Sequence, residues 1–127
     1  MRTFAALLLC VFIAAPGALR AQGIVLEIVE EEYTSQTLSG KVFLGRLVPG
    51  AEAIGILVEL CEPDWKDAIH STRTDSKGNF SFPTLTPKKE GLYYLRLSAE
   101  GVNTLLVKVR IKPSGPKEVT LRMTFST

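Results

Sequence analysis

Tyr93-Tyr94-Leu95-Arg96-Leu97-Ser98-Ala99 and Leu105-Leu106-Val107-Lys108-Val109-Arg110-Ile111-Lys112 are the stretches that decide the fold. In the first, Tyr93, Leu95, Leu97 and Ala99 alternate with Tyr94, Arg96 and Ser98. In the second, Leu105, Val107, Val109 and Ile111 alternate with Leu106, Lys108, Arg110 and Lys112. A period of two belongs to strands with one face packed and one face wet. Glu100-Gly101 between them reads as a turn.

The same period extends in both directions. Val119, Leu121, Met123 and Phe125 alternate with Thr120, Arg122, Thr124 and Ser126. Upstream, Ile54, Ile56, Val58 and Leu60 share one face, and Gly55, Leu57, Glu59 and Cys61 the other. Ile24–Val29, Thr37–Leu47, Ile69–Thr74 and Phe80–Phe82 read as further strands. Pro49-Gly50, Pro63-Asp64, Asp75 to Gly78, Pro87 to Gly91 and Pro113 to Pro116 punctuate them. These signals recur about every 8–12 residues, the spacing of a sandwich or barrel. Only Pro63–Ala68 leaves room for a short helix or turn. The expectation is an all-β, antiparallel Greek-key β-sandwich of about seven strands. Asp75-Ser76-Lys77-Gly78 is expected to close a hairpin: the Asp side chain bonds amides two residues on, and Gly78 takes the positive φ. Phe80 and Phe82 then point to one face as core anchors.

Four of these segments in this order resemble a known family. They are Ser39-Gly40-Lys41-Val42, the Pro49–Leu60 strand approach, Thr74-Asp75-Ser76-Lys77-Gly78-Asn79-Phe80-Ser81-Phe82, and Gly91-Leu92-Tyr93-Tyr94-Leu95-Arg96-Leu97 with Gly101 beyond. Together they resemble the carboxypeptidase regulatory-like domain, a transthyretin-like (prealbumin-like) β-sandwich. The resemblance implies a non-catalytic module of an exported protein, grouped by shape with carbohydrate-binding-like folds. Hydroxyisourate hydrolases share the transthyretin-like fold, but they use more than one His and a terminal Tyr-Arg-Gly-Ser. This chain ends Met123-Thr124-Phe125-Ser126-Thr127, so that activity is not expected.

The N-terminus reads as an export signal rather than as part of the sandwich. Arg2 is followed by an apolar run, Phe4–Ala15, which Pro16 and Gly17 break. The run is shorter than the roughly 20 residues of a spanning helix. Residues 1–21 are expected to be removed after Ala21, leaving 22–127 as the sandwich domain, secreted or periplasmic, with no transmembrane segment. Of 15 basic and 13 acidic residues, Arg2 and Arg20 leave with the signal, so the remainder is formally neutral. A neutral domain has no global attraction for nucleic acid. Of two Cys, Cys10 also leaves, so Cys61 has no partner for an internal disulfide and reads as a small buried hydrophobe.

Few residues suggest chemistry. His70 is the one His and lies on a different strand from Cys61, so no metal set forms. There is no Gly-x-Ser-x-Gly elbow. No enzyme, metal or cofactor is expected. Glu30-Glu31-Glu32 reads as a solvated loop between the first two strands. Lys108, Arg110 and Lys112, with Lys117 and Arg122, form a basic strip if the last two strands are neighbours. Such a strip either solubilises an edge or docks acidic polysaccharide or lipid headgroups; no aromatic interleaving accompanies it. Trp65, in the loop Glu62–Asp67, either plugs the sandwich end or presents its face to a sugar or a protein. Trp65, Lys108 and Arg110 are thus the candidate ligand contacts, and Asp75, Gly78 and Phe80 the structural turn. The expected function is an exported non-catalytic binding or structural module contacting protein or glycan. The alternatives are an accessory subunit of an envelope complex using strand addition, and a small hydrolase with a composite site around His70.

Overall fold

The computed structural model describes residues 28–82 and 90–126. The expected export segment, residues 1–21, lies outside the described residues, as do the start of the Ile24–Val29 run and most of the Pro87–Gly91 turn. The strands are β1 (Ile28–Ser35), β2 (Ser39–Leu44), β3 (Leu57–Cys61), β4 (Ala68–Arg73), β5 (Asn79–Ser81), β6 (Leu92–Ala99), β7 (Val102–Ile111) and β8 (Val119–Met123). They form a five-stranded sheet, ordered β1-β7-β6-β3-β4, and a three-stranded sheet, ordered β5-β2-β8. The result is an all-β sandwich around one apolar core.

The period-two stretches of β6 and β7 supply the centre of that core. Leu95, Leu97, Leu105, Val107 and Val109 are at most 1% exposed. Val58 of β3 joins them from the same sheet, and Val42, Leu121 and Met123 face them from the three-stranded one. Each such side chain stabilises the fold by roughly 1.5–3 kcal/mol through burial. Gly40 of β2 lets the smaller sheet close: a Cβ there would lie 2.3 Å from the Val119 carbonyl oxygen on β8.

The sheets are mixed where an antiparallel sandwich was expected. β1 runs parallel to β7 and β2 parallel to β8. Alternation reports which residues share a face and is blind to strand direction. Three further expectations change. Ile54 is 64% exposed, because Gly55 adopts φ +75° and breaks the extended run before β3 begins at Leu57. Phe125 is also exposed, because β8 stops at Met123. Glu30, Glu31 and Glu32 lie within β1 rather than in a loop; as an edge strand it carries charge that blunts further pairing.

The Asp75 turn forms as expected, but it joins different sheets. β4 pairs with β3 and β5 pairs with β2, so the turn carries the chain across the sandwich instead of closing a hairpin. Thr74 prepares the crossing: the Ile56 amide donates to its Oγ1 at 2.8 Å. The Asp75 carboxylate then accepts the amides of Lys77 (2.8 Å) and Asn79 (3.0 Å). Gly78 has φ +80°, and a Cβ on it would stand 2.8 Å from the Val42 carbonyl oxygen. Past the turn, Phe80 and Phe82 are buried and meet edge to face at 6.4 Å.

Two outcomes follow from this turn. Gly78→Ala meets both a left-handed backbone and a steric clash, and should lower the unfolding free energy by about 3 kcal/mol in urea denaturation. The amides of Asn79 and Lys77 hold the Asp75 carboxyl below the usual carboxylate range. A carboxyl depressed in the folded state stabilises it above the unfolded pKa, about 3.9, and loses that contribution as pH falls through the folded value. Asp75→Asn should therefore flatten the acid limb of the stability profile below about pH 4, read by thermal melts across pH.

Candidate functional site

The polar face of β6 and β7 looks away from the core, and the loop between β3 and β4 folds onto it. That loop begins with a single 3-10 turn, Pro63–Trp65. Asp64 and Trp65 both adopt positive φ, 63° and 53°. Two successive non-glycine residues in this region cost on the order of 1–3 kcal/mol each, so other contacts must hold them.

Those contacts are explicit. The Trp65 indole N–H donates to the Leu95 carbonyl oxygen at 2.9 Å and to that of Val107 at 3.3 Å. These are paired residues at the centre of the β6–β7 ladder. Arg96 closes the loop from the side. Its Nε donates to Glu59 Oε1 at 2.9 Å, and its Nη1 to the Trp65 carbonyl oxygen at 3.0 Å. The hydrogen bond that Arg96 donates to Glu59 raises the Arg96 pKa, so the guanidinium remains charged. Beneath this loop, burial pushes the Cys61 thiol up, away from the reactive thiolate.

Trp65 is therefore half-buried on the outer face of the five-stranded sheet, neither a plug in the sandwich end nor a free loop residue. Tyr94 meets it edge-on, with centroids 5.1 Å apart and planes at 90°. Lys108 lies opposite Tyr94 on β7, and its Nζ stands 5.8 Å from the Trp65 centroid and 6.0 Å from that of Tyr94. Arg110, two residues along β7, is 3.8 Å from Glu32 of β1. The structure thus brings Trp65, Lys108 and Arg110 to one face.

The basic strip itself divides. β7 and β8 belong to different sheets, so Arg122 does not join Lys108 and Arg110. Aromatic residues flank Lys108 after all, against the expectation of none. Tyr94, Arg96 and Glu59 were not singled out from sequence. Tyr94 and Arg96 sit on the wet phase of the alternation, and only the register shows which charges and rings they meet.

Other chemical candidates stand apart. His70 is exposed on β4, an edge strand. Among the described residues, no group of three or more His, Cys, Asp or Glu gathers to hold a metal ion, and no helix is long and apolar enough to cross a membrane. A small cavity of about 40 Å³ lies between β1 and β8, lined by Glu31, Asn103 and Arg122 among others. Next to Glu31, the Tyr33 hydroxyl donates to its carboxylate; burial first, then that bond, raises the phenol pKa.

No family model matches this chain, and no curated protein matches it. Among solved structures it is similar to 3-chlorocatechol 1,2-dioxygenase from Rhodococcus opacus 1CP, with 13% identity over 87% of this chain and 77% of that one. The TM-score is 0.38, too low to bear on fold or function.

Arg96→Gln removes the charged clamp and should lower stability by about 1.5–3 kcal/mol. The freed loop should also shift Trp65 emission to the red. Arg110→Gln, which breaks a long exposed pair, should change stability by less than about 1 kcal/mol. Urea titrations followed by Trp65 fluorescence and by circular dichroism check both.

Proposed function

We propose that this chain is an exported, non-catalytic binding module of the carboxypeptidase regulatory-like kind, secreted or periplasmic, contacting protein or glycan through the outer face of its five-stranded sheet. The observation that carries this reading is the Lys108 ammonium held against the Trp65 and Tyr94 rings on that face. Aromatic rings combined with a cation on a rigid ladder suit recognition: the geometry is preorganised and little side-chain entropy remains to be lost. Backbone strain at Asp64 and Trp65 supports the same reading, because strain concentrates where function requires a particular loop shape. The exposed, edge-strand position of His70 supports a binding role over a hydrolytic one.

A second reading is favoured by β4. This six-residue strand ends the five-stranded sheet, and its Ile69 is 55% exposed. An accessory subunit of an envelope complex could pair an extended partner strand with it.

The two readings separate by mutation. Lys108→Glu should abolish binding on a glycan array and release partners captured from the native envelope, while Ile69→Lys leaves both intact. The opposite pattern assigns the partner to β4 and overturns the face reading.

A further inference from the structure

Among the described residues, two ion pairs lie on the outer face. Arg96 is engaged by Glu59 and Arg110 by Glu32, whereas among the described residues Lys108 has aromatic rings and no carboxylate. We propose that Lys108, Trp65 and Tyr94 form a subsite for a pyranose bearing a carboxylate, that is, a uronic acid unit of an acidic polysaccharide. The inference rests on the binding-module reading and names its ligand.

Three features favour this chemistry. First, Lys108 makes no ion pair among the described residues, although Glu32 is its register neighbour on β1, so its half-buried ammonium can donate a charge-assisted hydrogen bond to a ligand carboxylate. Second, the rings beside it offer apolar surface for the C–H face of a sugar, and the Trp65 N–H is already held by the ladder carbonyls, which fixes the ring in place. Third, the strands beneath are interior to the sheet: β6 pairs with both β3 and β7, so their amides serve the ladder. A peptide laid on this face finds no main-chain partner, whereas a sugar needs only ring surface and one cation. Arg110 lies about 7 Å further along β7. Its pair with Glu32 is long and exposed, and a neighbouring uronate can displace it. Glu30 and Glu32 on β1 bound the site on that side.

The test titrates the purified protein with an oligogalacturonate and with its methyl ester, following Trp65, the single Trp of the chain. The acid should produce a saturable emission change, and the methyl ester should bind at least about tenfold more weakly. Lys108→Gln should weaken acid binding by about the same factor, and Lys108→Arg should restore part of it, with circular dichroism unchanged in both. Equal affinity for acid and ester, an unaffected Lys108→Gln variant, or preferential binding to phosphatidylglycerol-containing vesicles overturns the uronate assignment. Where neither oligomer binds, the assignment also falls; Lys108→Glu still releasing envelope partners then leaves the module reading standing, and unaltered capture removes both.

Discussion

The pairing of Leu95 with Val107 across β6 and β7 governs both sides of the molecule. Its side chains enter the core at 0% exposure, and its two carbonyl oxygens receive the Trp65 indole on the other side. A shift of one residue would turn every side chain of one strand to the opposite face. The turn at Glu100-Gly101 begins the hairpin with Ala99 opposite Val102, a register that would place Leu95 beside Leu106. An irregularity between Leu97 and Ala99 advances the pairing so that Leu97 meets Leu105 and Leu95 meets Val107. Burial of the aliphatic rows thus overrides turn geometry, and the same correction sets Tyr94 opposite Lys108.

The loop on the outer face shows how local strain is held by distant partners. Left-handed backbone at Asp64 and Trp65 is unfavourable by itself. The indole bonds, the Arg96–Glu59 pair and the edge-on contact with Tyr94 offset it. Their combined contribution is of the same order as the strain, a few kcal/mol. The loop is therefore defined by the sheet below it, and its Trp is aimed by β6 and β7 rather than by its own sequence neighbours.

Crossings between the sheets create the remaining architecture. Asp75 and Gly78 send the chain from β4 to β5 in the opposite layer, with Gly78 pressed against the β2 backbone. Longer crossings place β1 beside β7 and β8 beside β2 in parallel. Parallel partners cannot be joined by a tight turn, so strands far apart in sequence become neighbours. That is why Glu32 lies near Arg110 while Arg122 stands in the other layer.

Much of this protein was legible in its residues. The period of two named the buried faces of β6, β7 and β8, and the Asp75–Gly78 turn and the burial of Phe80 followed from side-chain and backbone chemistry acting over a few residues. Of the candidate site, Trp65, Lys108 and Arg110 were visible as exceptions to an otherwise bland surface, but not as companions. Tyr94, Arg96 and Glu59 stayed hidden, because each looks like an ordinary wet-face residue until its cross-strand partner is known. Strand direction, the division of the basic strip and the seat of Trp65 were decided by tertiary structure alone. The physical reason is one of range: side-chain alternation and turn chemistry act between residues close along the chain. Sheet order and the loop's landing place depend on how separate apolar faces share one core.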